Sequence, residues 1–148
     1  MKRSVFWQGG TDYIKTKYAN HAVHATPDQL CAQIDETLKQ HQEYKYLYLS
    51  TEDKDYCNYF SERYKGKLTF TDQKRYSVRE GESLMQMHER ETDKRDAFDL
   101  GMEYILSIEC LGRCRGLVAS GLCAGVTEAL RINDGNYLTT YVFQKGVN

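Results

Sequence analysis

Along the chain, short apolar runs that end in glycine, serine or acid alternate with longer segments whose apolar residues recur every three or four positions. Ser4–Gln8 is the first run and stops at Gly9-Gly10, which predicts a buried strand delivering a glycine turn. Thr11–Ala25 is polar and without a clean period, hence a long loop. Thr26-Pro27-Asp28-Gln29 announces a helix. Threonine can cap it, proline suits its first position, and glutamine three residues after the threonine completes a capping box. That helix should reach about His41, burying Leu30, Ile34 and Leu38.

Tyr44–Ser50 reads as a second strand and ends at the polar turn Thr51-Glu52-Asp53. A helix from about Lys54 to Tyr64 follows, with Tyr56, Phe60 and Tyr64 on one stripe, and Lys67–Thr71 is a third, shorter strand. Asp72–Thr92 is a long charged stretch with no period. Asp93 or a neighbour then caps a helix expected to carry Phe98, Met102, Ile105 and Ile108 toward the core as far as Leu111. Gly116–Ala119 is the fourth strand and runs into Ser120–Gly125, which opens a helix ending near Ile132-Asn133. Asp134-Gly135 is a turn and Tyr141–Phe143 the last strand. Strands interleaved with helices imply right-handed crossovers and a parallel sheet covered on both faces. The expected fold is a single α/β domain over residues 1–148, three-layer and Rossmann-like, with a mainly parallel sheet of about five strands.

Composition narrows the function classes. At 148 residues with 41% hydrophobic and 28% charged positions, the chain can bury one core and is not compositionally disordered. Twenty Lys and Arg against 21 acids leave a net charge of -1, which argues against a general nucleic-acid binder. No apolar run approaches the ~20 residues needed to span a bilayer, and the N-terminus lacks a signal-peptide core. No stable membrane insertion is expected; the setting is cytoplasmic, soluble or peripheral at the inner face of the membrane. Five cysteines without a CxxC pair give neither a disulfide framework nor a zinc ribbon, so reduced thiols are expected, with Cys110 and Cys114 as small core residues. His21 and His24 lack an obvious third ligand, and no metal site is expected. The 12 tyrosines either stack on rings and hydrogen-bond to sugars or fill half-exposed strand positions.

In an open parallel sheet, ligands gather beyond the carboxyl ends of the strands. Three such ends carry chemistry here: Gly9-Gly10-Thr11-Asp12-Tyr13, Ser50-Thr51-Glu52-Asp53, and Ser120-Gly121-Leu122-Cys123-Ala124-Gly125. In the last, a serine and two glycines at a helix start offer backbone N–H groups and a positive helix end to a phosphate; the competing reading is a tight turn capped by Ser120. Glu52 and Asp53 could bond a base or ribose, or could cap the helix they precede. Asp12 is either a catalytic base or a loop stabiliser. The run Arg90–Arg95 is either a solvated helix start or a wall of the cleft. Gly9-Gly10 matches neither the GxGxxG fingerprint nor a Walker loop.

Taken together and in this order, the three strand ends resemble the donor-binding C-terminal half of fucosyltransferase-like glycosyltransferases of the GT-B architecture, in particular bacterial proteins of surface-polysaccharide loci. That family pattern runs from RGTDY through a K-x-K-x-x-H loop, a TED turn and a RENDK-like helix start to a GGLCGG-like turn. Gly10–Tyr13, Lys15-Thr16-Lys17 with His21, Ser50–Asp53, Arg90–Lys94 and Ser120–Gly125 are the matching pieces, and the tail Tyr137–Val147 is similar to the end of that domain. The resemblance implies a GDP-fucose-type nucleotide-sugar as donor substrate, a glycan acceptor, inversion at the anomeric carbon and no bound metal or other cofactor. It implies Asp12 as catalytic residue and a nucleotide-sugar site built from Gly9, Gly10, Thr11, Tyr13, Glu52, Asp53, Arg90, Ser120, Gly121, Leu122 and Cys123. Asp53 would meet the guanine edge, and Ser120 with the following amides would hold the diphosphate.

Two departures qualify the expected activity. Gly9 stands where the family carries arginine, so the motif reads QGGTDY. Losing one leaving-group donor typically costs about 10²–10³ in rate. The chain also starts at the first strand of the donor half, so the acceptor half is expected from a second copy or a separate acceptor-domain chain. The alternative reading is a catalytically degenerate module that binds a nucleotide or a protein partner.

Overall fold

The computed structural model describes residues 23–77, 97–121 and 123–146. Helix α1 spans Pro27–Gln40 and begins as its capping box dictates. The Thr26 hydroxyl accepts from the Gln29 N–H at 3.3 Å, and the Thr26 N–H donates to Gln29 Oε1 at 3.1 Å. Leu30 and Ile34 are buried, with Leu38 packed at the margin of the same core.

Strand β1 (Leu47–Tyr48) pairs in parallel with β2 (Leu68–Thr69), in register Leu47 with Leu68. Helix α2 (Lys54–Arg63) makes the crossover between them and buries Tyr56 and Phe60, with Tyr64 just beyond its end. Helix α3 (Ala97–Gly112) leads to β3 (Gly116–Ser120). That strand pairs in parallel with β4 (Thr139–Phe143), from Gly116 with Thr139 to Ser120 with Phe143. Helix α4 (Ala124–Asn133) links them and ends at Asp134, which takes a left-handed φ of 52° before Gly135 at 77°. The expected Asp134-Gly135 turn is thus present, with glycine where a left-handed backbone favours it.

Side chains alternate across the strands. Leu47, Leu49 and Val118 enter one core with α1 and α2, while Tyr48, Leu117 and Ala119 enter another with α3 and α4. Every residue of β3 is buried, as expected for a parallel strand covered on both faces.

The α/β class and the parallel pairing therefore hold, and among the described residues the strands form two two-stranded parallel sheets. β1 and β3 meet through shared core side chains and through the Tyr44 hydroxyl, which donates to the Arg115 carbonyl at 3.2 Å. The expected first strand, Ser4–Gln8, lies outside the described residues.

One correction concerns α3. Phe98, Met102 and Ile105 were expected inside, yet they are 67%, 48% and 60% exposed. Ile108 and Leu111 are buried as expected, and Ser107 is buried beside them. A serine can occupy that inner face because its polar atoms are satisfied. Its hydroxyl lies 2.6 Å from Ser50 Oγ, and the Tyr48 hydroxyl donates to its carbonyl at 3.2 Å.

Several of the described tyrosines serve packing. Tyr44, Tyr48, Tyr56, Tyr64 and Tyr76 are buried, and the hydroxyl of Tyr137 donates to the Leu111 carbonyl at 3.0 Å. All five cysteines are free thiols, and Cys114 is in the core as expected. Among the described residues no helix is long and apolar enough to cross a membrane.

Candidate functional site

The carboxyl ends of β1 and β3 bring two of the three predicted segments to one edge. After β1 the chain turns at once into α2, and Asp53 makes that turn possible. Its Oδ1 accepts from the backbone N–H groups of Asp55 at 2.8 Å and Tyr56 at 3.0 Å, the N-cap that four unpaired helix donors require. Ser50, Thr51 and Asp53 are all buried, while Glu52 is only half-buried. A parallel bridge fixes the turn from outside: Tyr76 N–H donates to the Glu52 carbonyl at 2.9 Å, and Lys54 N–H donates to the Tyr76 carbonyl at 2.8 Å.

The turn after β3 is equally tight. Ser120 is fully buried, and its hydroxyl accepts from the Ala25 N–H at 2.9 Å. Gly121 donates its N–H to the Phe143 carbonyl at 2.8 Å. A Cβ at Gly121 would stand 2.8 Å from that same carbonyl oxygen and 2.9 Å from Gln144 Oε1, so only glycine fits without displacement. Cys123 is the residue at the N-cap of α4, with no side-chain capping bond. Burial pushes its thiol above the ordinary range; the Val126 and Gly125 N–H groups oppose this, and the Glu52 carboxylate adds to it. The thiol therefore stays protonated, unlike a nucleophilic cysteine.

Of the predicted site residues, Glu52, Asp53, Ser120, Gly121 and Cys123 thus stand at the carboxyl ends of β1 and β3. Asp12, Gly9, Gly10, Thr11, Tyr13, Arg90 and Leu122 lie outside the described residues. Asp53 caps α2, and Ser120 is a buried acceptor for Ala25, though not a cap of α4.

Residues that sequence reasoning did not single out complete this edge. Gln73, Tyr104 and Ser107 join Ser50, Thr51 and Glu52 around a crevice of about 10 Å³, too small for more than a single water. Ser107 had one readable signal, a serine set in an otherwise apolar helical stretch. Ala25 had none, because its partner is 95 residues away. Among the described residues no group of three or more His, Cys, Asp or Glu side chains is arranged to hold a metal ion.

Comparison with protein-family models, curated proteins and solved structures finds no match.

Proposed function

We propose that this chain is the nucleotide-sugar-binding domain of a metal-independent, inverting glycosyltransferase that uses a GDP-fucose-type donor in surface-polysaccharide synthesis. The observation that carries the reading is that the Ser50–Asp53 and Ser120-Gly121 turns both leave the carboxyl ends of parallel-paired strands that share two cores, the edge where α/β domains bind nucleotides. Glu52 is half-buried and takes the guanine edge, since one oxygen of Asp53 is already committed to capping α2. The first amides of α4 and the positive end of that helix face the diphosphate. In the transfer, an acceptor hydroxyl attacks the anomeric carbon as its bond to the diphosphate oxygen breaks. Asp12 takes the hydroxyl proton and GDP departs. The acceptor is a glycan, and the setting is cytoplasmic.

A second reading has its own support. Gly9 replaces the arginine that would neutralise the leaving group, which favours a domain that binds the nucleotide without transferring the sugar. Calorimetric titration and melting with GDP, UDP and ADP test both. GDP should raise the melting temperature, by the equivalent of about 2.7 kcal/mol at 100 times its Kd. No shift with any purine nucleotide overturns both readings. A shift with GDP but no sugar transfer after Gly9→Arg, with acceptor domain supplied, selects the second.

A further inference from the structure

The strands have another concavity at their opposite end. A groove of about 260 Å³ lies between the C-terminal half of α1 and the first residues of β3 and β4. Gln33, Gln40 and His41 line it from the helix side, and Thr139, Thr140 and Tyr141 from the strand side. Gly116 pairs with Thr139 at the start of the ladder and Ser120 with Phe143 at its end. At about 3.3 Å per residue, roughly 10 Å of strand separates this groove from the Ser120 turn.

The lining selects a ligand class. None of these six residues is a lysine, arginine, aspartate or glutamate. The nearest charges are the Glu36 carboxylate, 2.7 Å from the Gln40 amide, and the Glu43 carboxylate, 3.2 Å from the His41 ring, so a phosphate or carboxylate would meet like charge rather than countercharge. What the groove offers is amide, hydroxyl and imidazole chemistry beside an aromatic ring. Gln40 donates to Glu36 Oε1 at 2.7 Å and the Gln33 amide lies 3.5 Å from Thr37 Oγ1, which leaves each amide's carbonyl oxygen as an acceptor. The Thr139 hydroxyl is held 3.1 Å from the Tyr44 hydroxyl. The Tyr141 ring is 43% exposed and braced edge-on by Phe143, with centroids 4.8 Å apart. Neutral acceptors and donors beside a braced ring fit a molecule with hydroxyls on its rim and C–H bonds on its face. The volume falls below the ~300 Å³ at which drug-sized pockets begin, which suits one such ring.

We propose that this groove is a binding site for a neutral monosaccharide unit, separate from the nucleotide-binding edge. Its hydroxyls meet the Gln33 and Gln40 amides and Thr139, and its C–H face lies on Tyr141. The proposal does not depend on the transferase reading.

Saturation-transfer NMR of the full chain with methyl α-L-fucoside, methyl β-D-galactoside and methyl β-D-glucoside tests it. At least one glycoside should receive transfer, and its affinity should fall about tenfold in both Gln33→Ala and Tyr141→Val. Saturating GDP should leave the signal unchanged. If Tyr141→Val melts early, Thr139→Val serves in its place, because it removes a hydroxyl on the Tyr141 face while keeping a β-branched side chain. Absence of transfer from all three at roughly 50 mM, or transfer undiminished in the variants, overturns the proposal. Displacement of the glycoside by GDP also overturns it, since the sugar would then occupy the other edge.

Discussion

The Ser120 hydroxyl accepts a hydrogen bond from the Ala25 N–H at 2.9 Å, and both residues are fully buried. The bond fixes the segment entering α1 against the end of β3, so the candidate edge and the first described helix are one mechanical unit. Ser120→Ala would leave a buried N–H without an acceptor, which costs about 1–3 kcal/mol. Urea unfolding should show a lower midpoint with an unchanged slope. An unchanged midpoint would mean that the hydroxyl has no structural role.

Asp53 and Glu52 are adjacent acids with separable duties. Asp53→Ala removes the cap of α2 and should cost about 1 kcal/mol, whereas Asp53→Asn keeps an acceptor and should cost only a few tenths. Under the proposed function, Glu52→Gln should weaken GDP binding by about tenfold or more, through loss of a charge-assisted hydrogen bond. Calorimetric titration of the three variants separates these roles. If Asp53→Asn weakens GDP more than Glu52→Gln does, the base edge lies on the wrong acid in our assignment.

Helix α3 shows which parts of the fold were readable and which were not. Thr26 and Gln29 declare their helix because capping is local chemistry between residues three apart. In α3 the sequence offers two apolar phases, and spacing alone favours Phe98, Met102 and Ile105. The helix instead turns Ser107 inward with Ile108 and Leu111, because Tyr48 and Ser50 arrive from a distant strand to satisfy it. At the candidate edge the same division holds. Asp53 could be read as a cap from its position, but the partner of Ser120 could not. Met102→Lys should therefore change stability by no more than about 0.5 kcal/mol, while Leu111→Ala should cost about 2–5 kcal/mol. Equal losses in the two variants would restore the inward reading of Met102.

Gly112 is set by contact between helices. A Cβ there would lie 2.5 Å from Ile132 Cγ2 and 2.7 Å from Ile132 Cβ on α4. Alanine would gain up to about 1 kcal/mol of helix propensity over glycine, but overpacking a close contact typically costs about 1–3 kcal/mol. Gly112→Ala should therefore be net destabilising. Ile132→Val keeps both of those carbons or their equivalents near the site, so it should relieve little. Ile132→Ala removes Cγ2 and should show favourable coupling with Gly112→Ala in a double-mutant cycle. Additive losses would place the origin of the effect outside this contact.

His24 gives the fold a pH dependence whose sign follows from its burial. The residue is 7% exposed, and desolvation holds its imidazole below the ordinary value of 6.5. The folded protein thus favours the neutral ring, and the unfolded chain takes up the proton first as pH falls. Stabilisation from this residue is fully present above the unfolded value and is lost as pH drops through 6.5 toward the folded value. The urea midpoint of the native sequence should fall between about pH 7.5 and pH 5.5, a window that spans the histidine titration. His24→Gln, which cannot titrate there, should flatten that fall even if it lowers stability at every pH. Parallel curves for the two proteins would assign the pH dependence to other groups.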